Sequence, residues 1–169
     1  MSVASAAALP GERPRAARAI LWGGLLAGVG DIAFAFAVSG LRGVGPVRVL
    51  QSVAGGMLGP AAREGGLAAA ALGLALHFLI AGAAAAVYWL ASRRLKALVR
   101  HPVVCGLLYG VAVHLVMSFV VVPLSAAYFK PSSAPSALLL NSAGHMLLVG
   151  LPIALAARRY STDRTRGER

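Results

Sequence analysis

Four long apolar segments, separated by shorter polar or mixed stretches, dominate the pattern along the chain. They lie near residues 19–39, 67–91, 103–122 and 137–157, and each contains a single ionisable side chain near its middle. A helix of roughly 20 apolar residues crosses the ~30 Å hydrocarbon core of a membrane. The pattern therefore predicts an all-α polytopic membrane protein, built as an antiparallel bundle of four transmembrane helices.

The connection between the first two apolar segments, residues 40–66, predicts a further short helix. Pro46 suits a helix start and Gly59-Pro60 suits a helix end. Between them one helical face is apolar and comprises Val47, Leu50, Val53, Ala54, Met57 and Leu58, whereas Arg48, Ser52, Gly55 and Gly59 lie opposite. We expect an amphipathic helix within 44–60 that lies on the outer membrane surface. A re-entrant half-helix packed into the bundle is the alternative.

Composition supports membrane insertion and argues against a soluble or nucleic-acid-binding protein. The chain is 59% hydrophobic and 12% charged, with a mean hydropathy of +0.78, whereas soluble domains are about half apolar and a quarter charged. The net charge of +11 does not indicate nucleic-acid binding, because the basic residues flank the apolar segments. The expected partner is the lipid bilayer. Because so small a bundle has limited room for a substrate path, a homo-oligomer is a further hypothesis.

The basic residues predict how the chain is threaded. Twelve of them lie in the N-terminal tail, the 92–102 connection and the C-terminal tail: Arg13, Arg15, Arg18, Arg93, Arg94, Lys96, Arg100, Arg158, Arg159, Arg164, Arg166 and Arg169. Four lie on the other side: Arg42, Arg48, Arg63 and Lys130. The positive-inside rule then places both termini in the cytoplasm. Residues 1–18 are predicted to form a flexible tail and residues 158–169 a basic tail.

A secretory signal peptide is the competing interpretation of the N-terminal segment. The sequence AFA at 35–37 has the small-x-small form of a cleavage site, but the apolar stretch is longer than a signal peptide's and contains an aspartate. Cleavage would also divide the basic residues between both sides. We therefore expect an uncleaved first helix in a multi-pass protein of a bacterial inner membrane, since the bias towards Arg, Ala and Gly is typical of a GC-rich bacterial genome.

The candidate site consists of the polar side chains within the apolar segments. Helical rise places Asp31, His77, His114 and His145 within several ångströms of the membrane midplane. Asn141 lies on the same helical face as His145. A charged aspartate at a helix centre costs about 2.5–3.5 kcal/mol. That cost favours a partner or a bound proton, and these five residues are the predicted intramembrane polar core.

The sequence leaves several functions open for this core. Interhelical hydrogen bonding alone would make it a non-catalytic packing or assembly protein. Intramembrane ionisable groups also mark proton or small-solute paths, which favours a small transporter- or channel-like, proton-handling bundle. A metal site of His77, His114 and His145 or a haem-binding redox protein is a third reading, with Gly73 and Gly110 leaving room for haem.

Catalysis and cofactors have weaker support. No nucleophile elbow, phosphate-binding loop, zinc-protease motif or paired carboxylates occur, so the sequence does not favour an enzyme. No cofactor is predicted, and the single cysteine, Cys105, excludes a disulfide within one chain.

Six segments in order carry a resemblance to a known group of proteins. They are LLAGVGDIAFAF, RVLQSVAGGMLGPAA, ALGLALHFLIA, GLLYGVAV, VVVPLSA and HMLLVGLPIAL. Together they resemble a family of small bacterial inner-membrane proteins of unknown function, over about residues 19–157. The resemblance implies a four-span inner-membrane fold, and it brings no activity, substrate or catalytic residue.

Overall fold

Helices form nearly all of the structure. The computed structural model describes residues 12–128 and 134–161, so Lys130, Phe129 and the outer parts of both predicted tails lie outside the described residues. The described part contains no strand. Its elements are α1 (Glu12–Gly40), α2 (Pro46–Leu58), a 3₁₀ turn (Gly59–Arg63), α3 (Gly66–Arg94), α4 (Ala97–Arg100), α5 (Pro102–Val116), a π-helical turn (Met117–Val121), α6 (Val122–Leu124), α7 (Pro135–His145), a second π-helical turn (Met146–Gly150) and α8 (Leu151–Ser161).

Four helices are long and apolar enough to cross a membrane, which confirms the predicted fold class. We call them span 1 (Pro14–Gly40), span 2 (Gly66–Arg94), span 3 (Pro102–Leu124) and span 4 (Pro135–Ser161). Each contains the corresponding predicted segment and extends a few residues beyond it. The helix that contains span 1 begins at Glu12, so the last seven residues of the predicted flexible tail are helical.

Span 1 packs between span 2 and span 4, and span 3 packs mainly against span 4. The backbones of spans 1 and 2 meet where Gly24 faces Gly82: a Cβ on Gly24 would lie 2.9 Å from the Gly82 Cα. Small residues permit such close approach of helices within a membrane. The segment that resembles a signal peptide is therefore an integral part of the bundle's packing.

Spans 3 and 4 approach each other closely through three glycines. A Cβ on Gly110 would overlap the backbone of His145 and Met146, and a Cβ on Gly150 would overlap the backbone of Gly106 and Gly110. Glycine is required at these positions because no side chain fits between the two helices. The Gly106/Gly110 pair, a weak motif in a chain with 20 glycines, is thus the crossing point of spans 3 and 4.

The predicted amphipathic helix is α2, and its bounds agree with the expected start and stop. It lies against the first two turns of span 2, where a Cβ on Gly73 would overlap the Leu50 carbonyl and Gln51 Nε2 donates to the Gly66 carbonyl at 3.0 Å. From Gly66 to Gly73 is about 10 Å of helix, so α2 contacts span 2 along the part that precedes His77.

The face of α2 that packs against the bundle is not the apolar face that the sequence predicts. Its buried residues are Val49, Gln51, Ala54 and Gly55. Half of the predicted apolar face, namely Val47, Met57 and Leu58, is exposed and is available to lipid. Small residues decide the packing because they allow the backbones of α2 and span 2 to touch.

The main core lies in the half of the bundle nearer the chain termini. Its buried members are Ala27, Ala85, Tyr88, Val149, Ile153, Ala154 and Ala157. Two tyrosines join spans 2 and 3 there: Tyr109 donates its hydroxyl to the Ala84 carbonyl at 2.7 Å, and its ring contacts that of Tyr88 edge to face. The connections at the opposite end also meet, since the Ala126 amide donates to the Gly56 carbonyl at 3.0 Å.

Candidate functional site

Asp31 of span 1 contacts His145 of span 4. The Asp31 Oδ1 atom lies 3.8 Å from His145 Nε2, and the two side chains are 22% and 18% exposed, respectively. This distance is within ion-pair range and longer than a direct hydrogen bond. Asp31 lies on the small-residue face predicted for packing, since Ala27, one turn away, is fully buried.

The second ring nitrogen of His145, Nδ1, contacts a backbone carbonyl. Nδ1 lies 2.9 Å from the Asn141 backbone carbonyl, and a carbonyl oxygen only accepts hydrogen bonds, so Nδ1 carries a hydrogen. A neutral His145 then presents a bare Nε2 lone pair to Asp31, which would repel a carboxylate. The pair has two positions for one proton, on His145 as imidazolium or on Asp31 as carboxylic acid.

His114 of span 3 completes a cluster of three ionisable side chains. Its ring is centred 4.9 Å from the His145 ring, at an interplanar angle of 50°. The residue is only 6% exposed, and its Nε2 is buried without a hydrogen-bond partner. A buried polar atom without a partner costs free energy, so this nitrogen is an unused proton donor or acceptor beside the Asp31–His145 pair.

His77, predicted as a fourth member of the polar core, lies apart from the cluster. Its Nε2 lies 2.8 Å from the Gly28 carbonyl, a contact between spans 2 and 1, and its ring packs edge to face on Phe78. Because the acceptor is a carbonyl, this nitrogen carries the hydrogen. The hydrogen bond of His77 links spans 1 and 2.

Asn141 belongs to the site in a different way from the one expected. It was predicted to supply a polar side chain, but its role in the described geometry is through the backbone carbonyl that accepts from His145. Any residue has such a carbonyl, so the asparagine side chain is not what positions the imidazole.

No group of three or more His, Cys, Asp or Glu residues that could hold a metal ion occurs within residues 12–128 and 134–161. The space that the small residues were expected to leave for haem is filled, because the α2 backbone occupies the position beside Gly73 and the span 4 backbone occupies that beside Gly110.

A π-helical turn follows the helix that contains the histidine in each of spans 3 and 4. One turn covers Met117–Val121, shortly after His114, and the other covers Met146–Gly150, immediately after His145. Such turns are rare and occur frequently at functional sites. They change the rotation of the helix locally, and no periodicity in the sequence indicated them.

Comparison with models of protein families, with curated proteins and with solved structures gave no match.

Proposed function

We propose that the protein is a small transporter- or channel-like membrane protein that handles protons, with Asp31, His145 and His114 as its exchange site. The observation that carries the proposal is the 3.8 Å approach of Asp31 Oδ1 to His145 Nε2 between two membrane-spanning helices, with Nδ1 of His145 held by the Asn141 carbonyl. Ionisable groups that meet within membrane-spanning segments typically mark ion or proton paths. The unpartnered Nε2 of His114 supplies the next position for a proton.

Burial differs among the three side chains of the site and between its two sides. Asp31 and His145 are each about one-fifth exposed, whereas His114 is almost fully buried. All seven buried members of the main core lie on the side of the site nearer the chain termini. This packed half would act as a barrier to protons.

Reconstitution tests the proposal directly. Purified protein in liposomes loaded with a pH-sensitive dye is expected to take up protons faster than protein-free liposomes when a potassium gradient and valinomycin impose a negative interior. Uptake no faster than in protein-free liposomes, with the protein folded and inserted, would contradict the proposal. It would favour the alternative, in which the buried polar groups serve only helix packing or assembly.

Replacing His114 with leucine distinguishes a role of this residue in proton transport from a role in helix packing. The exchange removes a buried nitrogen without a partner, so the free energy of unfolding is expected to stay the same or rise by up to about 2 kcal/mol, while proton uptake falls at least about tenfold. Thermal unfolding in detergent and the liposome assay measure the two effects.

His77→Leu is the matched control for His114→Leu. It removes a histidine at similar depth whose Nε2 is hydrogen-bonded to Gly28, so it is expected to lower stability by about 1 kcal/mol and to leave uptake nearly unchanged. Equal effects of the two exchanges on both quantities would mean that the cluster has no special role.

We further propose that the protein lies in a bacterial inner membrane with both termini in the cytoplasm. The asymmetry of basic residues, twelve against four, supports this orientation. Alkaline phosphatase joined after Gly65 is expected to be active in whole cells, whereas phosphatase joined after Arg100 is expected to be inactive. Fluorescent-protein fusions at the same positions should give the opposite pattern, and the reverse result would invert the proposed topology.

A further inference from the structure

A cavity of about 430 Å³ lies at the end of the bundle that carries α2, away from the Asp31 cluster. Its lining comprises Val44, Arg48, Ser52, Arg63 and Tyr128. The residues come from three parts of the chain: the start and one face of α2, the end of the 3₁₀ turn, and the segment after span 3. The volume falls in the ~300–1,000 Å³ range of small-molecule sites.

The two arginines of the cavity are held in place without carboxylates. Arg48 donates from one guanidinium nitrogen to Gln51 Oε1 at 3.1 Å and to the Arg63 carbonyl at 3.0 Å. The Arg63 guanidinium lies over the Tyr128 ring, 4.6 Å from its centroid. Neither guanidinium is within ion-pair distance of a carboxylate of the described residues. The cavity therefore has two positive charges that no described acidic side chain neutralises.

These two arginines lie at the end of the bundle that has fewer basic residues. By sequence, only four basic residues lie at this end of the bundle, and two of them line this cavity. Both side chains are exposed, and hydrogen bonds and the contact with Tyr128 hold them at the same cavity. Two fixed positive charges at one cavity favour an anion there.

We propose that this cavity binds a phosphate ester, either the headgroup of an anionic phospholipid or a small soluble phosphate compound. A guanidinium group matches phosphate oxygens through paired, charge-assisted hydrogen bonds. Basic pockets of membrane proteins recognise lipid headgroups in this way. Val44 supplies an apolar wall, and the exposed Val47 beside it on α2 provides a surface for the glycerol and acyl portions of a lipid.

The test compares lipid retention by variants of the full chain. Protein extracted from vesicles of phosphatidylglycerol and phosphatidylcholine is expected to retain phosphatidylglycerol in native mass spectra. The double exchange of Arg48→Gln and Arg63→Gln should lower that retention about tenfold or more, because charge-assisted hydrogen bonds are lost. Arg42→Gln removes a positive charge at the same end but outside the cavity lining, and it should leave retention unchanged.

A second variant tests the proposal independently if the double variant does not fold. Ser52→Asp keeps both arginines and places a carboxylate in the cavity, where it should occupy the anion position and also lower retention about tenfold. Titration with glycerol 3-phosphate distinguishes a soluble phosphate ligand from a lipid headgroup. Thermal stabilisation of the wild type that Ser52→Asp abolishes would indicate a soluble ligand. Retention of phosphatidylglycerol without thermal stabilisation by glycerol 3-phosphate would indicate the lipid. Retention and stabilisation that do not differ among wild type, Arg42→Gln and the cavity variants would overturn the proposal.

Discussion

Asp31→Asn is expected to reduce proton uptake in liposomes by roughly 100-fold or more, the contribution typical of a positioned proton-transfer group. Asparagine has nearly the same size as aspartate, so packing of span 1 should be kept. Its amide donates a hydrogen bond to Nε2 of His145, the atom that faces Asp31 at 3.8 Å. The variant thus keeps the contact but loses the group that ionises. Dye-reported uptake at several external pH values measures the effect.

Stability and assembly measured on the same variant distinguish transport from packing. The thermal midpoint of Asp31→Asn in detergent should equal or exceed that of the wild type, since a charge within a membrane-spanning segment is removed and the asparagine amide can contact His145 in its place. His77→Gln is the control, because glutamine retains a donor for the Gly28 carbonyl and should keep full uptake. A variant that transports normally but unfolds at lower temperature, or loses an oligomeric state, would show that Asp31 serves packing.

Gly110→Ala is expected to give a large loss of stability from a single methyl group. A Cβ at this position would overlap the backbone of His145 and Met146, so spans 3 and 4 must move apart. Overpacking of this kind costs roughly 1–3 kcal/mol, or about 2–12 °C in thermal midpoint for a chain of this size. Separation would also displace His145 from Asp31, so proton uptake should fall together with stability.

Gly82→Ala is the matched exchange within a neighbouring span. A Cβ on Gly82 meets no heavy atom within 4 Å, and alanine favours a helix more than glycine does by up to about 1 kcal/mol. This variant should therefore be as stable as the wild type or slightly more so. Similar losses for Gly110→Ala and Gly82→Ala would contradict the close contact between spans 3 and 4.

The spans were predictable because insertion into lipid depends on local hydropathy. All four predicted segments lie within helices of the structure, and Pro46 and Gly59 mark the bounds of α2 as expected. The packing faces were harder to predict. Apolar side chains on α2 mark the surface that lipid would cover, whereas its buried face is defined by contact with a glycine in span 2. Hydropathy distinguishes membrane from water but not lipid from another helix.

The depth of the polar residues was predictable, whereas their pairing was not. Helical rise places Asp31 and the three histidines at one level, but contact depends on how each helix is rotated and how closely its neighbour approaches. The rotation near His114 and His145 is altered by π-helical turns, and the approach is set by Gly106, Gly110 and Gly150. His77 has a similar depth and residue type, yet it bonds to Gly28 and takes no part in the cluster.

The glycine contacts have a mechanical consequence. Backbones touch within two pairs, span 1 with span 2 at Gly24 and span 3 with span 4 at Gly110, and the main core joins these two units through side chains. Asp31 belongs to the first unit, and His114 and His145 belong to the second. The attraction between carboxylate and imidazolium therefore acts across the joint between the units, where gain or loss of one proton would change the force that holds them together.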